Sequence, residues 1–297
     1  MQNFEYVRPT DLSSALALLA EPSLRVRPMA GGTDLIVQMR ALRYELDRVV
    51  DVKAIPELTE LRDHPKEGLT IGAAVSCHRL YEDPRVQARY PGLADATAIV
   101  GGIAIQGRAS VGGNLCNASP SGDTIPILVV LGASARIVGP DGERTVPVEQ
   151  FCIAPGTSVL APGELLLSVN VPAPDANSGA HYLRFIPRNE MDIAVVGAAA
   201  WVQLSKDRRT ITDARVALAA VAPTPLYVDA ARGLLVGTDG SDEALESAAA
   251  ASRAAARPIT DMRGTEAQRR HLAGVLTKRA LRGALARARG EAHAAAH

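Results

Sequence analysis

Short apolar runs alternate along the chain with breaks made by glycine, proline or charge, and the period of each run predicts its element. Pro9-Thr10-Asp11 precedes SSALALLAE, whose apolar residues recur at helical spacing behind a capping residue. Val26 to Met29 reads as a short strand, LIVQMRALRYEL behind Thr33 and Asp34 as a helix, and Val49-Val50-Asp51-Val52 as a buried strand. Leu69 to Ala73 predicts a strand, and Pro91 to Val100 and Thr124 to Leu131 predict helices. Ser134 to Val138 and Thr145 to Val148 read as strands joined by a Gly139-Pro140-Asp141-Gly142 hairpin, and Glu164 to Val171 as a strand ended by Pro172. The polar stretch from Pro174 to Gly179 marks the best domain boundary. Beyond it, His181 to Ile186, Ala194 to Leu204 and Ala214 to Val221 predict antiparallel strands. Ala-rich segments near 228–237, 242–256 and 265–289 predict helices. The expected division is 1–56 and 57–175 as two subdomains, 176–290 as a C-terminal domain, and 291–297 as a tail.

Two glycine pairs carry the candidate chemistry. One lies in Met29-Ala30-Gly31-Gly32-Thr33-Asp34-Leu35, the other in Ser110-Val111-Gly112-Gly113-Asn114. Both are read as turns at the ends of strand-like runs. Glycine admits positive φ and lets a ligand approach main-chain N–H groups with no Cβ in the way. Thr33, Ser110 and Asn114 add short polar groups, Asp34 is expected to cap the helix behind it, and Asp123 stands close enough to accept from a ribose hydroxyl or an adenine-side group. Either segment alone is an ordinary connecting turn. Together they predict two rims on one extended phosphate ligand, as a dinucleotide pyrophosphate would be. Neither is G-x-G-x-x-G, so a Rossmann site is disfavoured.

Composition narrows the classes. The 297 residues are 47% hydrophobic but only 3% aromatic, so the core must be built from Ala, Val, Leu and Ile. Net charge is zero, which gives no general drive towards nucleic acid or an acidic membrane surface. Cys77, Cys116 and Cys152 form no C-x-x-C, and the histidines form no H-x-x-x-H and are read as surface or capping residues. Cys116 is read as packing. The three widely spaced cysteines form no disulfide framework, so a reduced cytoplasmic setting is expected; MQNFEYVRPTDL has no signal-peptide pattern, and no run is long and apolar enough to span a membrane. The C-terminal helix carries no acid between Glu266 and Glu291, and its basic face is either solvated or a docking surface.

In order, AGGTDL, TIGAAVS (Thr70 to Ser76), RASVGGNLCNASPSGD (Arg108 to Asp123), ELLLSVNVP (Glu164 to Pro172), MDIAVVGAAA (Met191 to Ala200) and PITDMRGTEAQRRHLAGVLTKRAL (Pro258 to Leu281) resemble one family across nearly the whole chain. It is the FAD-binding medium subunit of molybdenum hydroxylases, of the xanthine dehydrogenase and carbon monoxide dehydrogenase type. The resemblance implies an α+β protein: an FAD-binding fold of the p-cresol methylhydroxylase type in two α/β subdomains, then a domain of antiparallel sheet and helices. It implies FAD in this chain, with the molybdenum cofactor and [2Fe–2S] clusters on partner subunits. It further implies a small iron–sulfur and a large molybdenum partner in a dimer of heterotrimers, and electrons leaving to a terminal acceptor. By position, Ala30 to Asp34 and Ser110 to Asn114 would bind the pyrophosphate, Met29 and Leu35 would also touch the cofactor, Asp123 would sit towards the ribose and adenine, and Leu166 or Leu167 would pack near the ring. Arg184 falls where relatives carry a lysine near the flavin carbonyl edge; its plain alternative is a surface strand residue in a salt bridge. Val100 stands where some relatives have a stacking aromatic, and Gln268 where a tyrosine is frequent. Met191 falls in a segment that can lie beside the flavin ring, and is read as a core residue rather than a gate. A flavin oxidoreductase acting alone on its own substrate is the alternative.

Overall fold

The computed structural model describes residues 2–188 and 191–291. The N-terminal lobe is built from β1 (Glu5–Val7), α1 (Leu12–Leu19), β2 (Val26–Met29), α2 (Leu35–Arg40) and β3 (Arg48–Asp51), with a parallel sheet ordered β1-β3-β2. Asp11 caps α1 by accepting from the Ser14 N–H at 2.8 Å. The sequence pattern predicts a longer α2, but that helix stops at Arg40. Leu42 turns left-handed at φ 57° and the Arg43 N–H closes onto Gln38 O at 2.9 Å. The reversal brings Leu46 into a small core with Met29, Met39 and Val49, and sets Tyr44 under the Arg27 guanidinium at 3.7 Å.

The second lobe runs α3 (Pro56–Thr59), β4 (Leu61–His64), β5 (Gly68–Gly72), α4 (Cys77–Tyr81), α5 (Pro84–Arg89), α6 (Pro91–Thr97), α7 (Ile103–Gln106), α8 (Val111–Asn117), α9 (Thr124–Val130), β6 (Ser134–Gly139), β7 (Gly142–Pro147), the pair β8 (Cys152–Ala154) and β9 (Thr157–Ser158), and β10 (Leu165–Val171). Its antiparallel sheet is ordered β4-β5-β10-β6-β7, and Gly139 pairs with Gly142 across the expected hairpin. Every residue of α9 is buried, which its unbroken apolar run TIPILVV requires.

The C-terminal lobe holds β11 (Ser178–Phe185), β12 (Val196–Leu204), β13 (Ile211–Ala219), β14 (Leu226–Tyr227), α10 (Asp229–Leu235), α11 (Asp242–Ala255) and α12 (Glu266–Arg289), with an antiparallel sheet in chain order. Ala199 and Trp201 of β12 join the core of the second lobe, whereas Val196, Ala198, Ala200 and Val202 pack with α10, α11 and α12. A strand buried on both faces has no polar alternation to show. Thr265 caps α12, accepting from the Gln268 N–H at 3.2 Å, and Gly290 ends it at φ 76°. The tail expected after 291 lies outside the described residues from 292 onward.

A polar latch joins the lobes. Asp95 on α6 accepts from Arg287 Nη2 on α12 at 2.9 Å, from Arg287 Nη1, and bonds His181 Nδ1 on β11 at 2.7 Å. Its pKa lies below the usual carboxylate range: burial raises it, but the bonds from Arg287 and His181 outweigh that. His181 is thus buried rather than at the surface, and a Cβ on Gly283 would stand 2.3 Å from its ring. Asp95→Ala leaves the Arg287 charge without its carboxylate. We expect a loss of about 3 kcal/mol, the low end of the range for a broken buried pair because this one keeps some solvent. Urea unfolding of the variant against the parent chain measures it.

Candidate functional site

The first glycine segment leaves the C-terminal end of β2, where Met29 pairs with Asp51 of the neighbouring parallel strand. Ligands of parallel sheets gather at such ends. Gly32 takes φ 76°, and a Cβ on Gly31 would lie 2.0 Å from Arg108 O. Only glycine permits that approach. Arg108 Nε donates back to Gly31 O at 3.3 Å, and Gln38 Nε2 of α2 donates to Asn117 Oδ1 of α8 at 3.0 Å. The two glycine segments therefore border each other.

The second segment is not a turn at a strand end. Gly112 and Gly113 lie in the first turn of α8, and the apolar run before them forms the helical turn α7. Gly101 at φ 58° and an extended Gly102 break that run, so its residues do not line up as a strand. Ser110 is the cap of α8: its Oγ accepts from the Gly113 N–H at 3.0 Å. Gly112 is pressed on Ala73, whose O would stand 2.4 Å from an added Cβ. Gly113 is exposed, with only Ser110 Oγ near an added Cβ, at 2.9 Å.

Asp34 does not cap α2 with its side chain. Its own dihedrals are already helical (φ −97°, ψ −47°), which carries the carboxylate away from the N–H groups of the first turn. Desolvation raises its pKa. Ala30, Thr33 and Leu35 complete the segment, half-buried around the exposed edge of Asp34.

Asn114 ties the second glycine segment to the start of α9. Its Oδ1 accepts from the Thr124 N–H at 3.3 Å and the Thr124 hydroxyl at 2.8 Å, at the start of α9. Asp123 precedes α9 in helical dihedrals and turns its carboxylate to β11 instead. Tyr182 O–H donates to its Oδ1 at 2.9 Å and Arg184 Nη1 to its Oδ2 at 2.7 Å. Arg184 is thus in a salt bridge, but a buried one, with side chains 7% and 9% exposed. A Cβ at Gly197, opposite Arg184 on β12, would stand 2.3 Å from the Tyr182 hydroxyl, so glycine makes room for it. Burial pushes the Asp123 carboxyl up to about 6, against the opposing pull of Arg184 and Tyr182. Burial and then the Asp123 charge push the Tyr182 hydroxyl well up.

Val100 is buried with Cys77 and Ala109. Leu166 and Leu167 are buried in the main core at a bulge of β10, where Leu167 O accepts from the Ala73 N–H at 3.0 Å. Val111, the first residue of α8, is wholly buried. Met191 is exposed rather than a core residue; it takes φ 54° and its N–H donates to Gly101 O at 3.2 Å. Burial pushes the thiols of Cys77 and Cys116 up to about 12 and that of Cys152 up to about 11, so none is a thiolate at neutral pH. Among the described residues no group of three His, Cys, Asp or Glu side chains is placed to hold a metal, and no helix is long and apolar enough to cross a membrane. Tyr182, Gln38, Asn117 and Thr124 were not singled out by the sequence reading. For Tyr182 a signal existed, since it shares a strand face with Arg184 two residues on.

The fold is thus two lobes of mixed helix and strand, with the two glycine segments bordering each other, followed by an antiparallel-sheet domain. Residues 2–174 match the family described as FAD binding domain in molybdopterin dehydrogenase, and residues 181–284 match CO dehydrogenase flavoprotein C-terminal domain. The carbon monoxide dehydrogenase medium chain of Hydrogenophaga pseudoflava is 33% identical over 286 residues, 96% of this chain and 98% of that one. The putative xanthine dehydrogenase FAD-binding subunit of Escherichia coli K12 is 29% identical over 287 residues, 96% of this chain and 97% of that one. A chain in the crystal structure of the cyanide-inactivated Cu,Mo-CO dehydrogenase superimposes with a TM-score of 0.90 at 31% identity, covering 96% of this chain and 98% of that one. The chain belongs to this family: it is the FAD-binding flavoprotein subunit of an oxidoreductase of the molybdenum hydroxylase type. The residues present fit the cofactor, because Gly113 leaves main chain open to a ligand and Arg108 has no carboxylate partner among the described residues.

The buried carboxylate makes stability depend on pH with a definite sign. A folded-state pKa raised from 3.8 to about 6 stabilises the fold below the unfolded value, and that stabilisation is lost as pH rises through the folded value. Relative to Asp123→Asn, the parent chain should lose on the order of 2 kcal/mol between pH 4 and pH 6. Parallel urea titrations across that range read the difference, and parallel curves would contradict it.

Proposed function

We propose that this chain is the electron-relay subunit of its complex, taking electrons from [2Fe–2S] clusters of a small partner and passing them to a terminal acceptor. Substrate oxidation then belongs to a large molybdenum subunit, in a dimer of heterotrimers. One observation carries this reading: the two glycine segments border a single rim, with Gly31 against the Arg108 main chain, in a chain that matches the medium-chain relatives end to end.

In this reading Met29, Ala30, Gly31, Gly32, Thr33, Asp34 and Leu35 form one side of the diphosphate rim, and Ser110, Val111, Gly112, Gly113 and Asn114 the other. The Gly113 N–H in α8 is taken by Ser110 Oγ and the Ile36 N–H in α2 by Gly32 O, so the donors left for anionic oxygens are the main-chain N–H groups of the glycine segments that no protein acceptor takes. Arg108 adds charge between the two sides. Val100 and Arg184 flank the ring end, with Leu166 in the core of the second lobe, and the Arg184 cation favours an electron-rich ring. When bound, FAD supplies a two-electron store that can be filled and emptied singly; the protein supplies position and electrostatics. Asp34 is the acid within these rim segments, and desolvation raises its pKa.

Purification through a tagged copy, followed by metal, iron and flavin assays, tests the partners. Molybdenum and iron copurifying with one FAD per chain is the expected result; a yellow chain that turns over a substrate alone would favour the independent oxidoreductase. Gly113→Val tests the rim. The exposed position tolerates the side chain in the empty protein, so the fold should persist, while bound FAD falls at least tenfold by absorbance per chain. Full occupancy would put the rim elsewhere.

A further inference from the structure

Asp123 is the acid that sequence position assigns to the nucleotide's sugar, yet both its oxygens are engaged within the protein, by Tyr182 at 2.9 Å and Arg184 at 2.7 Å. The residue is 6% exposed, so little of its carboxylate is open to a ribose hydroxyl. The helix-capping role is also filled, by Asn114. Arg184, by contrast, uses only Nη1 on Asp123, and its remaining guanidinium N–H groups have no partner among the described residues. They are not among the fully enclosed unpaired donors, so they keep an open face that an acceptor can reach.

We propose that Asp123 is a positioning residue: it aims the Arg184 guanidinium at the flavin ring and offsets its charge, rather than binding the nucleotide's sugar. This rests on the reading that Arg184 lies at the ring edge. The geometry supports a fixed cation. The pair spans two lobes, α9 on one side and β11 on the other, and Gly197 clears the space that lets Tyr182 hold the second carboxylate oxygen. A carboxylate so close to a buried guanidinium cancels much of its field at any third site. The ring therefore meets a moderated cation, not a bare one.

The test measures the flavin, not turnover. Asp123→Asn keeps the shape of the contact and removes the negative charge. At a fixed dye potential the ratio of reduced to oxidised FAD should rise about tenfold, ~30 mV for a two-electron couple. FAD content per chain should stay at the parent level. Arg184→Gln should move the ratio about tenfold the other way, and the double variant should return towards the parent, because the two sites are coupled. Asp123→Ser, smaller and equally neutral, carries the same expected direction should the Asn variant not fold. Loss of FAD from the Asp123 variants, with an unmoved ratio in the flavin that remains, would restore the sugar contact and overturn the proposal. So would Asp123 variants with parent ratios while Arg184→Gln shifts. An unmoved ratio and spectrum in Arg184→Gln would overturn the placement of Arg184 beside the ring, which is a separate failure.

Discussion

The approach of Gly31 to the Arg108 main chain is the constraint on which the site depends. With a Cβ position 2.0 Å from Arg108 O, any other residue would drive the N-terminal lobe off the second lobe. Two short hydrogen-bonded ties then hold what sterics permit: Arg108 to Gly31 and Gln38 to Asn117. The rim is thus a product of lobe docking, not of either glycine motif alone. Neither α2 nor α8 is long enough to make an anion site by its dipole, so convergence supplies what length does not.

The second junction obeys different physics. Between the second lobe and the C-terminal lobe, contact is made by buried carboxylates reaching β11: Asp95 to His181 and Asp123 to Tyr182 and Arg184. β11 is an edge strand, and Asp95 also accepts from its Tyr182 N–H at 3.4 Å, which occupies part of the exposed edge. Desolvation opposes both carboxylates, and the different outcomes are instructive. Asp95, with a bidentate arginine and a histidine, has its pKa held below the ordinary value; Asp123, more deeply buried with one arginine bond, has it pushed up.

Much of the fold is legible in the chain because its elements carry strong periods or sharp stops. The three long C-terminal strands, the three helices after Pro225 and the Gly139–Gly142 hairpin all follow from local pattern. What local pattern hides is long-range. The strands β1 and β4 are too short to announce themselves, and β1 exists because β3 offers it a parallel edge. LIVQMRALRYEL has helical spacing throughout, yet Leu46 is wanted in a core that a continued helix would carry it away from. Gly112 and Gly113 look like a turn, and become helix because Ser110 caps them and Ala73 leaves no room for a side chain. At the site, glycine spacing was enough to identify the two segments, but not that Asn114 takes the cap and frees Asp123.

The alanine-rich, aromatic-poor composition has a structural cause at this same junction. β12 must be covered on both faces, by the second lobe through Ala199 and Trp201 and by α12 through Ala198 and Ala200. Small residues let α12 lie close on the sheet, and close packing on both sides is what brings Arg287 to Asp95 and His181 against Gly283. Large aromatics at those strand positions would lift the helix and, with it, the latch on β11. Since β11 also carries Tyr182 and Arg184, the electrostatics at Asp123 are inherited from how tightly α12 closes on the far side of the sheet. The residues that set the charge of the site and the residues that pack the C-terminal domain are therefore parts of one mechanical unit.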